Sequence, residues 1–230
     1  MSGLNKKIIL FIAIFYFIDG IVNAQQFNIE FGKLISGFDY TNSDGEKLEN
    51  LQGTTNNHFA VGFNMPIRRT KFYFLSNLAF NKYGALGSDA AVGNYYSWEV
   101  NYIGLGIGAG YEFFKLNTFL NYQNVNTYQG FTFFIQASSS FEYLMLGTQI
   151  INNQTYDLKG VEQFDKPFVF TNGALGVRYY ATKTLSAYFT YSFGYGFPVA
   201  KSENDNEVLK YITHTFSLGV SISLPAKSRR

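Results

Sequence analysis

From Tyr211 to Leu224 the chain alternates without interruption, and this constrains its fold more than any motif does. One set of alternate positions reads Ile212, His214, Phe216, Leu218, Val220, Ile222 and Leu224; the interleaved set reads Tyr211, Thr213, Thr215, Ser217, Gly219, Ser221 and Ser223. A period of two places the sets on opposite faces of a strand. A soluble sandwich would put large polar or charged side chains on its outer face. Hydroxyls and glycine suit the crowded interior of a narrow barrel, with the bulky set turned toward lipid.

The same division recurs. Leu185, Ala187, Phe189, Tyr191 and Phe193 oppose Ser186, Tyr188, Thr190, Ser192 and Gly194, and Phe59, Val61, Phe63, Met65 and Ile67 oppose His58, Ala60, Gly62 and Asn64. Ile103, Leu105, Ile107, Ala109, Tyr111 and Phe113 oppose Gly104, Gly106, Gly108, Gly110 and Glu112. Phe27, Ile29 and Phe31, the pair Leu175 and Val177, and Phe131, Phe133 and Ile135 mark further strands, with Phe134 out of step. Phe72–Phe80 is ambiguous, because Tyr73 and Leu75 compete with Phe72 and Phe74. The expected fold is an all-β, eight-stranded antiparallel up-and-down transmembrane β-barrel, eight being the smallest number that closes in a membrane.

Composition fits. Of 230 residues, 19% are aromatic and 15% charged, against about 25% charged in a typical soluble domain. The absence of cysteine excludes disulfides, thiol nucleophiles, Cys-ligated metals and a lipoprotein anchor. A net charge of +2 gives no footprint for nucleic acid. Residues 1–24 read as a signal peptide: Lys6 and Lys7, an apolar run from Ile8 to Ile18, then Val22-Asn23-Ala24. A transmembrane helix is the weaker reading, since a span needs about 20 apolar residues and Asp19 interrupts this run. The barrel then occupies 25–224 and a short basic tail 225–230.

Connections alternate in length. Those near 43–56, 82–95, 147–167 and 198–210 are long and polar, while 68–70 and 181–184 are short, as surface loops and periplasmic turns should be. Leu116–Gln129 breaks the pattern, as either a prolonged hairpin or an amphipathic insertion. Lys33 shares parity with lipid-facing Phe31, so a β-bulge near Gly32 is expected to turn it inward.

The chemistry-bearing residues are few. The glycines of Gly104–Gly110 alternate inside a strand with no helix after them, so they give room in the lumen and not a phosphate loop. Glu30, Glu112, Gln136 and Arg178 fall on inward parities. They are expected to form a polar network filling the lumen, since interior charges must pair; a narrow ion pathway is the alternative. His214 and Ser217 lie on opposite faces of one strand, and His58 has no serine at a useful spacing, so neither meets the needs of a nucleophilic triad. No enzymatic activity, metal or cofactor is expected. Tyr95, Tyr96, Trp98 and Tyr102 at one strand end, with Phe113 and Phe114 at the other, read as interface aromatics; a carbohydrate platform is the alternative for the outer group.

Glycine-alternating Tyr102–Phe114, Leu146-Gly147-Thr148-Gln149, Phe164-Asp165-Lys166 and Thr190-Tyr191-Ser192-Phe193-Gly194 carry a resemblance to the outer-membrane β-barrels of Bacteroidota, the group that includes PorT-like small barrels. The resemblance runs through most of 25–224. It implies an integral protein of a Gram-negative outer membrane, and PorT-like members are associated with protein secretion machinery. Many such barrels end on an aromatic residue, whereas here the last strand reaches Leu224 and continues through Pro225 to Arg230. The expected role is structural or interactive, through surface loops. The expected partners are outer-membrane lipids and lipopolysaccharide, and other outer-membrane proteins through the 147–167 loop. An accessory subunit of a secretion or assembly complex is the alternative, and a lipid-modifying enzyme the third.

Overall fold

The computed structural model describes residues 25–41, 45–48, 50–67, 70–89, 94–117, 130–199 and 208–224. Nine strands follow one another: β1 (Gln26–Thr41), β2 (Gln52–Pro66), β3 (Phe72–Asp89), β4 (Asn94–Asn117), β5 (Gly130–Ile151), β6 (Gln154–Asp157), β7 (Phe168–Tyr180), β8 (Leu185–Pro198) and β9 (Val208–Ser223). One helical turn, α1 (Glu162–Asp165), lies between β6 and β7. Eight strands pair antiparallel with their neighbours in the ring, and β1 pairs with β9 from Gln26↔Ser223 to Thr41↔Val208, closing it. Strand β6 is a ninth, accessory strand that pairs with the outer end of β5.

Alternation sorts the two faces as the sequence requires. Phe31, Leu105, Ile107, Leu175 and Leu218 are exposed on the exterior, while Ser36, Thr213, Ser217 and Ser221 are buried within. An apolar exterior around a polar lower lumen is the arrangement a bilayer demands, because closure leaves no unpaired strand edge. The ambiguous Phe72–Phe80 resolves with Phe72, Phe74, Leu78 and Phe80 outward and Tyr73 and Leu75 buried. Phe134 is inward, as its even position dictates. The alternating glycines make room. A Cβ at Gly110 would fall inside the Tyr73 ring, and one at Gly104 would lie 2.7 Å from the Glu142 side chain.

Three expectations need correction. The stretch 82–95 is mostly strand: β3 and β4 stay paired from Lys82↔Asn101 to Asp89↔Asn94, raising a long hairpin above the wall. Leu116 and Asn117 belong to β4, which pairs to Asn117↔Gly130; the rest of that insertion lies outside the described residues. No bulge turns Lys33 inward. The β1 register is unbroken on both sides, and Lys33 is exposed on the exterior, its ammonium donating to Asn57 Oδ1 at 2.8 Å. The register shifts fall instead on β2 between Gly53 and His58, on β4 at Phe114 and on β5 at Met145. Gly32 serves close approach to β9, since a Cβ there would lie 2.6 Å from the Phe216 carbonyl oxygen.

Lys33 stands seven residues above Gln26. At about 3.3 Å per residue and a tilt near 40°, that is about 18 Å up a band about 25 Å tall. With Gln26 at the lower edge of the band and the short turns periplasmic, Lys33 would lie in the outer half, where the cost of a lipid-facing lysine is below the roughly 2–4 kcal/mol of the midplane. The predicted signal peptide (1–24) and tail (225–230) lie outside the described residues.

Candidate functional site

The lumen divides into a polar lower half and an aromatic upper half. At the end of the short connections, Arg178 from β7 is 1% exposed. Its Nη1 donates to Glu112 Oε1 at 2.7 Å and to Gln26 Oε1 at 3.2 Å, and Tyr180 Oη donates to the same Glu112 oxygen at 3.0 Å. The guanidinium lies 5.2 Å from the Phe134 ring centroid and 5.5 Å from that of Tyr188, so rings from β5 and β8 hold it across the barrel. Aromatic faces suit a guanidinium that has left water. Gln136 donates to Tyr73 Oη at 2.9 Å, beside this pair and without a direct bond to it.

Glu30 begins a second network. It accepts from Tyr188 Oη at 3.0 Å and from Ser217 Oγ, and His58 Nε2 lies 3.6 Å from its Oε1. His58 Nδ1 is 2.6 Å from Asn81 Oδ1, and Asn81 Nδ2 donates to Glu142 Oε1 at 3.0 Å. Glu142, 2% exposed, also accepts from Tyr83 Oη at 2.8 Å and Ser140 Oγ at 2.9 Å. Because Asn81 turns its Nδ2 toward the carboxylate, its oxygen faces His58, which donates from Nδ1. Four strands thus join through Glu30, His58, Asn81 and Glu142. The four predicted lumen residues fall into separate groups: Arg178 with Glu112, Gln136 with Tyr73, and Glu30 with His58. His58 is inside the lumen, beside Glu30 and Asn81.

Glu142 escaped the sequence reading, although it shares even parity with Gln136 on the same strand. The small cavity between the networks, lined by Asn28, Glu30, Gln136, Arg178 and Tyr188, is about 50 Å³, enough for a few waters.

Above Glu142 the lumen is closed by rings. Tyr83, Tyr102, Phe168, Phe170 and Tyr211 are all buried and in mutual contact, with Tyr83 and Phe170 stacked at 5.1 Å. The 147–167 segment folds onto this layer. Asn152 and Asn153, both with positive φ, turn the chain from β5 into β6. Leu158 and Phe164 then enter the barrel mouth at 2% and 7% exposure, and the Tyr102 hydroxyl donates to the Phe164 carbonyl at 2.8 Å.

Tyr102 is therefore not an interface aromatic but part of the seal, as its even parity on β4 requires. Trp98 is also turned inward, packing on this core 6.3 Å from Phe38 and stacking on Tyr96 at 5.7 Å. Tyr95 is exposed on the hairpin. Phe113 lies at the opposite end, 6.4 Å from Phe133, and Phe114 is the extra residue of the β4 bulge. His214 faces outward and meets Tyr191 Oη at 2.9 Å, whereas Ser217 faces Glu30 inside, so wall and lumen separate the two. Among the described residues no group of three His, Cys, Asp or Glu could hold a metal ion.

No protein-family model matches the chain, and no curated protein matches it in sequence. Solved structures do match. The outer membrane protein OprG from Pseudomonas aeruginosa aligns at TM-score 0.52 and 9% identity, over 89% of this chain and 98% of that one. Neisserial surface protein A aligns at TM-score 0.45 and 11% identity, over 86% and 97%. Ail, the attachment invasion locus protein of Yersinia pestis, aligns at TM-score 0.41 and 10% identity, over 88% and 100%. The fold is that of a small outer-membrane β-barrel.

Proposed function

We propose that this protein is a sealed, non-conducting barrel that acts through its cell-surface elements, without enzymatic activity. The burial of Leu158 and Phe164 against the ring layer carries the reading, because a lumen closed by its own loop leaves no path for a solute. The raised β3–β4 hairpin and the accessory strand β6, whose four residues are all exposed, then form the part of the molecule open to other macromolecules. A liposome-swelling assay tests it: the purified barrel should leave vesicles impermeable to small sugars, and uptake at porin rates would contradict it.

A second reading, an accessory subunit of an export or assembly complex, is favoured by the same exposed strand, since an uncovered edge can pair with another chain. It accords with the resemblance to PorT-like barrels of Bacteroidota. Copurification in mild detergent separates the two readings. A stoichiometric partner that is lost when 152–157 is replaced by a tight turn supports the subunit; a monomer in both cases supports the structural role.

A further inference from the structure

The lipid-facing wall carries one face unlike the rest, and the strand register orders it from the periplasmic side upward. Ala187, Val220 and Ile29 form one cross-strand row on β8, β9 and β1. Phe189, Leu218 and Phe31 form the next, then Tyr191, Phe216, Lys33 and Asn57. Because Ala187 presents only a methyl group between larger neighbours, the first two rows enclose an apolar groove of about 660 Å³, reaching Val177 on β7. That volume lies within the range of small-molecule sites. The row above carries the polar groups of Tyr191, Lys33 and Asn57 on either side of Phe216.

Lys33 differs from Lys82 and Lys47. Lys82 is 2.6 Å from Glu99 and Lys47 is 2.8 Å from Asp39, each held by a carboxylate. Lys33 has no carboxylate within ion-pair distance among the described residues; its partner is the neutral Asn57 Oδ1. Asn57 keeps its Nδ2 as a donor. On the far side of Phe216 lie Tyr191 and His214, hydrogen-bonded to one another. An exposed cation, an amide donor and a phenol–imidazole pair thus stand directly above an apolar groove, on a surface that touches only lipid.

We propose that this face binds a phosphorylated glycolipid of the outer leaflet, its phosphate on Lys33 and Asn57 and one acyl chain in the groove over Ala187. The charge asks for an anion, and the groove asks for a chain attached to it. With the short turns periplasmic, Lys33 stands in the outer half of the band, which selects the outer leaflet. A second copy of the barrel is a poorer occupant, because a two-fold contact through this face would set Lys33 against Lys33. The site rests on the outer-membrane location and is independent of whether the lumen is sealed.

The test is native mass spectrometry of the full barrel refolded in detergent, titrated separately with lipid A, phosphatase-treated lipid A and phosphatidylethanolamine. Wild type should retain lipid A selectively. Lys33→Gln, which loses a charge-assisted bond, should weaken retention about tenfold, and Ala187→Phe, which fills the groove, should weaken it without touching the phosphate site. Both substitutions face lipid, and heat-modifiable migration on gels verifies that the barrels are folded. Equal retention by wild type and either variant, or retention of phosphatidylethanolamine or dephosphorylated lipid A as strong as that of lipid A, would overturn the proposal.

Discussion

The Tyr102 hydroxyl and the Phe164 carbonyl are joined by a hydrogen bond of 2.8 Å inside the barrel mouth, 62 residues apart in sequence. A wall strand and a surface loop are thereby made one unit. The bond satisfies two groups that burial would otherwise leave without water, and it fixes the depth at which the loop enters.

Removing the side chain that fills the mouth should therefore free the loop without unfolding the wall. Phe164→Ala is expected to lower the local stability of the lid by about 3 kcal/mol, which is roughly a hundredfold change in opening. Hydrogen exchange should report it at the amides of Val161, Phe164 and Asp165, which bond within the loop, while β8 and β9 stay protected.

Arg178 and Glu112 should behave as a pair whose breakage costs more than its absence. Arg178→Ala takes the guanidinium from Glu112, whose side chain is 27% exposed, and empties the space between the Phe134 and Tyr188 rings; it is expected to cost about 2–3 kcal/mol. The double variant Arg178→Met, Glu112→Leu should recover most of that loss. Urea unfolding in lipid vesicles measures both, and equal destabilisation of the single and double variants would show that the pair does not act as a unit.

The lumen glycines should be sensitive in proportion to the space they leave. At Gly219 a Cβ would fall inside the Tyr188 ring and push that tyrosine from Glu30; Gly219→Ala is expected to cost about 1–3 kcal/mol. Nothing lies within 4 Å of a Cβ at Gly173, and Gly173→Ala should be close to neutral. The same unfolding titration compares the two.

The depth of Lys33 has its own consequence. In phosphatidylcholine vesicles, which hold no glycolipid, Lys33→Leu should stabilise the barrel by about 1–2 kcal/mol, because a lipid-facing lysine below the interface is unfavourable. A destabilisation would place the residue in water.

The wall was legible because alternation is a local signal. Ile212–Leu224 displays both faces of β9 in sequence, and the Gly104–Gly110 repeat is a direct imprint of lumen crowding. What escaped reading depends on partners distant in sequence. Glu142 gains its meaning from Asn81 and Tyr83, and Tyr102 looked like an interface residue because Tyr95, Tyr96 and Trp98 precede it, though its parity already pointed inward. Lys82–Asp89 is polar enough to resemble a loop, yet pairing with Asn94–Asn101 holds it as strand above the membrane. The parity of Lys33 suggests a bulge near Gly32, while the role of that glycine is contact with the β9 backbone. The 147–167 segment is legible as a long surface loop, but only the closed ring shows where Leu158 and Phe164 go.

Single-channel recording in a planar bilayer tests the sealed lumen most directly. The wild-type barrel should insert and remain electrically silent, and a Leu158→Ala, Phe164→Ala variant should show only brief, small openings as the lid loosens above the intact networks of Glu142 and Arg178. Steady conductance of porin size from the wild-type protein would contradict the account.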